Sequence, residues 1–246
     1  MNFDNIDRLK KELDELRPLP AAALRNLDAV YRIEWTYNSN AIEGNTLTLL
    51  ETKLVLEEGL TIGGKKLREH FEVVNHSEAI YYVQDIVNRN IELTEHVVKS
   101  IHHLVLKNIE DENAGRYRTI NVLISGSQHI PPHFTVISEK MEQLMEWYSA
   151  HKSTLHPVEL AAEFHFRFVY IHPFSDGNGR TARLLMNLIL MKFGFPPAIV
   201  KAANEARLKY YETLELASIS NSLQPFIQLI AGCVEESLQR YIGAVK

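Results

Sequence analysis

The chain has 246 residues, 46% hydrophobic and 23% charged, a composition that excludes a disordered polypeptide. Lys and Arg total 26 against 31 Asp and Glu, a net charge of −5, so the broad basic face that duplex nucleic acid requires is missing and no nucleic-acid partner is expected. The single cysteine, Cys233, excludes a disulfide framework and a cysteine-based zinc site.

The N-terminus, MNFDNIDRLKKEL, lacks a basic region followed by an apolar core, so it does not read as a secretory signal. Ile6, Leu9, Leu13 and Leu16 form a helical stripe that Pro18 and Pro20 end. That stripe packs on the core or on a second copy, which makes a homodimer an expectation. A second helix is predicted over Ala21–Ile42, with Leu24, Leu27, Tyr31 and Trp35 on one face and Gly44-Asn45 as its stop. Helical periodicity continues over 49–58, 68–88, 94–108, 138–151, 157–171, 178–192, 205–218 and 222–242. The exception is 120–133, where Asn121-Val-Leu-Ile124, Ser125-Gly126-Ser127-Gln128 and Ile130-Pro-Pro132 read as a small β-hairpin. The apolar run Leu184–Met191 contains Asn187 and is far shorter than the roughly 18 residues of a membrane span. The expectation is an all-α cytoplasmic protein with no membrane partner. Its N-terminal helical segment spans 1–47, its core spans 48–246, and one hairpin forms a flap.

The chemistry concentrates in His172-Pro-Phe-Ser-Asp176-Gly-Asn-Gly-Arg180-Thr-Ala-Arg183. Pro173 biases His172 away from the helical region and ends the preceding helix. Gly177-Asn178-Gly179 leads straight into the next helix, and unpaired N–H groups at such a turn attract a phosphate. Arg180 and Arg183, one turn apart, can face the same anion. Asp176 is placed to hold Mg²⁺ against phosphate oxygens, and His172 to take a proton from an attacking hydroxyl. The other histidines, His102, His103 and His165 among them, form no two-His helical metal pair.

This segment resembles the signature of the Fic (filamentation-induced-by-cAMP) family, His-x-Phe-x-Asp/Glu-Gly-Asn-Gly-Arg-x-x-Arg, at every position. By naive odds such a match arises by chance on the order of 10⁻¹⁰ per window. The likeness extends over about 40–241, including Ala114-Gly-Arg-Tyr-Arg118, the 122–133 flap, Tyr210-Tyr211 and Pro225-Phe226. It implies a Fic-type helical bundle that moves AMP from ATP to a Ser, Thr or Tyr hydroxyl of a target protein, itself included. By the same resemblance His172 is the base, Phe174 anchors the loop and Asp176 binds Mg²⁺. Gly177, Asn178 and Gly179 cradle the α- and β-phosphates, Arg180 reaches the β- and Arg183 the γ-phosphate, and Tyr210 and Tyr211 lie on the adenine side. Gly179, where the phosphorylating Doc branch carries Lys, favours AMP transfer. The flap, Ile124, Ser125, Gly126, Ser127 and Gln128, is expected to dock an extended target segment by strand addition.

Ser39-Asn-Ala-Ile-Glu43-Gly44 resembles the inhibitory pattern Ser/Thr-x-x-x-Glu-Gly/Asn of the same family. Alone the pattern occurs by chance in roughly one chain of this length in eight, so the longer string Asn40–Thr48 carries the weight. The expected brake is a bidentate pair between Glu43 and Arg183 that keeps Arg183 from the γ-phosphate. Alternatives are an enzyme that chiefly removes AMP, using Glu43 to orient water; a nucleotide-gated regulator with little catalysis; and transfer of UMP, GMP or phosphocholine instead of AMP.

Overall fold

A computed structural model describes residues 1–220 and 222–246. Ten α-helices account for most of them: α1 (Asp4–Glu15), α2 (Ala21–Ile42), α3 (Leu49–Glu58), α4 (Leu67–Asn88), α5 (Glu95–Leu106), α6 (Ile137–His151), α7 (Pro157–Ile171), α8 (Asn178–Lys192), α9 (Asn204–Ser220) and α10 (Gln224–Val245). Helix α8 is the axis of the bundle. Its face-to-face apolar residues Leu184, Leu185, Leu188 and Ile189 are all buried, and α7 lies along it with α4 and α5 on its other flanks. The hydrophilic residue inside this apolar helix, Asn187, is fully buried. It donates from Nδ2 to Ala198 O at 2.9 Å and accepts from Ala198 N at 2.7 Å, clasping the strand-like return segment after α8.

The α1 stripe is satisfied within the chain. Phe3, Ile6, Leu9 and Leu13 are buried in the main core and α1 packs on α10, so the face that suggested self-pairing is not free for a second copy. Between α2 and α3 the chain turns through Gly44–Thr48, held against α4. Asn45 Nδ2 donates to Glu69 O at 3.0 Å and to Glu72 Oε2 at 2.9 Å, and Thr46 N to Glu69 Oε1 at 2.7 Å. Thr48 and Glu51 then close a capping box that starts α3. Much of the Asn40–Thr48 string therefore fixes the end of α2 in space.

The expected β-hairpin is corrected. Among the described residues there is no strand, and 121–133 is an open loop with one turn, Ser127 N donating to Ile124 O at 3.2 Å. Side chains replace the rungs of a ladder. The Arg118 guanidinium donates to Ile120 O (2.8 Å) at one end of the loop and to Pro132 O (2.5 Å) at the other, and Asn121 Oδ1 accepts from Phe134 N at 3.0 Å. Pro131 and Pro132 have no N–H to give a partner strand. Among the described residues no helix is long and apolar enough to cross a membrane.

Replacing Asn187 by Leu keeps the branching of the side chain and strands two buried backbone groups at Ala198. The expected loss is about 2–4 kcal/mol, read as a lower urea midpoint at unchanged slope.

Candidate active site

The motif loop joins α7 to α8 and is held from several sides. His172 ends α7 in the left-handed region (φ 50°, ψ 59°), a conformation that non-glycine residues adopt at a cost. Its carbonyl accepts from Arg118 Nε at 2.8 Å, and Pro173 O accepts from Arg118 N at 2.9 Å. Phe174 is fully buried and stacks on His102 with ring centroids 3.5 Å apart. His102 Nδ1 accepts from Gly115 N at 2.9 Å, which leaves Nε2–H to donate to Asp176 O, also at 2.9 Å. Asn178 turns its side chain back onto Phe174, accepting from Phe174 N at 3.0 Å and donating to Phe174 O at 2.8 Å. Its contribution to an anion nest is thus its backbone N–H alone. Gly177 takes a positive φ of 73° as the residue before α8, the turn that aims the helix N-terminus into the cleft.

Two guanidinium groups follow on α8, both almost fully buried. Arg180 lies 3.4 Å from Asp176 Oδ1 and 3.5 Å from Glu72 Oε1, while its Nε and Nη1 lack hydrogen-bond partners. Unsatisfied buried donors at a helix N-terminus suit a phosphate oxygen. Arg183 is fully engaged. Nη2 donates to Glu43 Oε1 and to Ser39 O, each at 2.7 Å, Nε donates to Ser39 Oγ at 3.0 Å, and Nη1 donates to the Tyr210 hydroxyl at 3.2 Å. Glu43 caps the C-terminus of α2, where unpaired carbonyls carry partial negative charge, so helix end and carboxylate draw the cation together. The Glu43 carboxylate also lies over Gly179, where an added Cβ would collide with Oε1.

Of the expected residues, Glu43, Ile124–Ser127, His172, Asp176, Gly179, Tyr210 and Tyr211 line one cavity of about 940 Å³, whereas Ser39, Gln128, Gly177, Asn178, Arg180 and Arg183 do not line it. His172 Nδ1 faces Val169 O at 3.3 Å, which leaves Nε2 free. Burial, with Arg118 adding, lowers its pKa and keeps the imidazole neutral, the form a base requires. Tyr210 also lines the cavity but is almost fully buried between Arg183 and His165, with its hydroxyl 3.0 Å from His165 Nε2. Tyr211 is 41% exposed on the cavity and donates to Ile42 O at 3.0 Å. Asp176 is a single hard carboxylate, and among the described residues no cluster of three His, Cys, Asp or Glu is placed to hold a metal unaided. One carboxylate completed by substrate phosphates is the binding mode of Mg²⁺, so the donor set fits that ion.

Four functional contacts come from outside the motif: Arg118, His102, Arg68 and Glu215. Arg68 Nη2 donates to Asp176 Oδ2 at 2.5 Å. Glu215 on α9 accepts from Gln128 N at 2.7 Å and from the Ser127 hydroxyl, holding the loop tip against α9. The apolar spacing Val98, Ile101, Val105 marks His102 as interior, and the Ala114–Arg118 stretch of the likeness contains Arg118; no local pattern marks Arg68 or Glu215.

The bundle sets a histidine-bearing loop beside a helix N-terminus and two buried arginines, an arrangement suited to an anion. Residues 92–190 match the Fic/DOC family. The chain is similar to a protein named "Protein adenylyltransferase Fic" from Nematostella vectensis, 39% identical over 249 residues, 99% of this chain and 57% of the relative. Among solved structures it resembles Fic-1 from C. elegans (36% identity, TM-score 0.87, 98% of this chain and 71% of that one). It also resembles a Fic domain containing signaling protein from Bacteroides thetaiotaomicron (30% identity, TM-score 0.88, 98% of each chain). The chain belongs to the Fic/DOC family. It spans about half the length of the curated relatives it matches.

Burial holds His102 at a pKa of about 4 and also lowers His76 and His165, so all three are neutral when folded. Their unfolded values lie near 6.5. This stabilisation is complete above that pH and is lost as pH falls from about 6.5 toward 4, His102 alone contributing about 3 kcal/mol. The urea midpoint should be flat above pH 7 and drop through that window. His102→Gln, which can keep both hydrogen bonds, should remove about one proton from the slope.

Proposed function

We propose that the chain is a protein adenylyltransferase that transfers AMP from ATP to a Ser, Thr or Tyr hydroxyl of a protein, and that Glu43 holds it idle. The observation that carries the proposal is the 2.7 Å contact of Glu43 with Arg183, directly over Gly179 and in the cavity that His172 lines. In the active arrangement Glu43 withdraws and Arg183 holds the γ-phosphate. The N–H groups of 178–180 receive the α- and β-phosphates, and Arg180 fills its empty donors on the β-phosphate. Asp176 would hold Mg²⁺, which would supply charge neutralisation to the phosphates. His172 Nε2 takes the proton of the target hydroxyl as its oxygen bonds to the α-phosphorus. The bond from that phosphorus to the bridging oxygen breaks, and pyrophosphate leaves. The work is placement and charge neutralisation, so displacing the triphosphate by about 1 Å costs roughly 10²-fold in rate. The curated relatives' printed names support this reading.

Purified protein incubated with labelled ATP should show little self-labelling. Glu43→Gly should raise it about 10²-fold, and Glu43→Gly/His172→Ala should lose it. Equal labelling of wild type and Glu43→Gly removes the brake from the account. Because the folded His172 pKa is depressed, the rate of Glu43→Gly should reach its plateau by neutral pH, with its half-point below 6.5.

A second reading rests on the exposure of Glu43, whose side chain is 34% accessible and lines the same cavity. On an AMP-modified protein Glu43 takes a proton from water, which attacks the phosphorus while His172 protonates the departing hydroxyl. Wild type mixed with self-labelled Glu43→Gly protein should then release AMP, and Glu43→Gln should not.

A further inference from the structure

Arg68, in the first turn of α4, belongs to none of the motifs, yet its guanidinium sits on the one carboxylate suited to a cation. Nη2 lies 2.5 Å from Asp176 Oδ2, Nε 3.2 Å from Glu72 Oε1 and Nη1 3.5 Å from Glu110 Oε1. Arg180 closes the circuit, 3.5 Å from the same Glu72 oxygen and 3.4 Å from Asp176 Oδ1. Asp176, Arg68, Glu72 and Arg180 thus form a ring of alternating charge that meets the cavity at Asp176. Glu72 is fixed in it by Asn45, in the turn that ends the Glu43 helix.

The two arginines of the ring are unlike. Arg180 is 3% exposed and held by its helix, whereas the Arg68 side chain is 46% exposed on a long flexible stem at a helix start. Arg68 is therefore the member that can leave. The Asp176 oxygen it covers is the one a divalent ion would use, because Oδ1 already accepts from Gly177 N at 2.6 Å.

We infer that Arg68 is a built-in occupant of the metal position, a cation that Mg²⁺ must displace from Asp176, so that it sets how much divalent ion the site needs. The inference rests on the reading above that Asp176 holds the metal of a bound nucleotide. Arg68 is a positioning residue here and touches no reacting atom. In the resting site it stands for the cation of Mg–ATP, as the Glu43 carboxylate on Arg183 stands for its terminal phosphate. Loss of Arg68 should leave Asp176 charged and open, since Arg180 still faces its other oxygen. Exposed pairs of this kind are individually weak, so the expected effect is modest.

The test uses Mn²⁺ as the probe, with a non-hydrolysable ATP analogue, and reads bound metal by electron paramagnetic resonance in the full chain carrying Glu43→Gly. Adding Arg68→Gln should tighten Mn²⁺ binding about three- to tenfold, with Arg68→Lys in between. The affinity for the analogue in excess chelator should stay the same. Unchanged Mn²⁺ affinity overturns the inference. Weaker binding of the analogue with and without metal also overturns it, and assigns Arg68 to the phosphates. If Mn²⁺ binds no variant, or binds Asp176→Asn equally well, the metal reading of Asp176 fails and the inference falls with it. These outcomes separate the two failures.

Discussion

The site is organised around one buried guanidinium. Arg183 lies inside the bundle with all three of its nitrogens engaged, on two oxygens of Ser39, one of Glu43 and the hydroxyl of Tyr210. A charge so deep is tolerable only while it is paired, because an uncompensated buried ion is strongly destabilising. The protein therefore has to supply an anion whenever no ligand does. It does so with a helix end, where the dipole and a carboxylate add. The position of α2, the turn that fixes its end through Asn45, and the contact of Glu43 with Gly179 all follow from that requirement.

The same logic runs outward to the rest of the cleft. Each group that a nucleotide would engage is either satisfied from within or left conspicuously open. Arg183 and Asp176 have internal partners, whereas Nε of Arg180 has none and its Nη1 has only the long 3.5 Å contact with Glu72. The loop between these groups is rigid because His102, Arg118 and Asn178 occupy its backbone. The energy of the left-handed His172 is offset by those contacts, and the result is an imidazole aimed at the helix N-terminus.

The helices were legible because their apolar periodicity is long and clean; those at Ala21–Ile42, Leu49–Glu58, Pro157–Ile171 and Asn178–Lys192 fall on the predicted bounds. The motif residues were legible because they lie within twelve positions and form one loop. The hairpin was misread: Val122, Leu123 and Ile124 look like a strand locally, but no partner edge is offered and Arg118 takes the carbonyls instead, leaving Leu123 83% exposed. Arg118 stood out only as part of the Ala114–Arg118 likeness, without a role, and Arg68 and Glu215 were invisible for the opposite reason. They reach the site from helices and loops distant in sequence, and nothing in a single helical stripe says where the tip of a long charged side chain will end.

The hydrogen bond from Tyr211 to the last carbonyl of α2 carries a consequence of its own. One aromatic ring on the wall of the cavity is tied to the segment that bears Glu43, so whatever settles against that ring and whatever grips that segment act on a shared element. Linkage then demands symmetry. A ligand on that ring and a ligand on the α2 terminus would therefore change each other's affinity by one and the same factor.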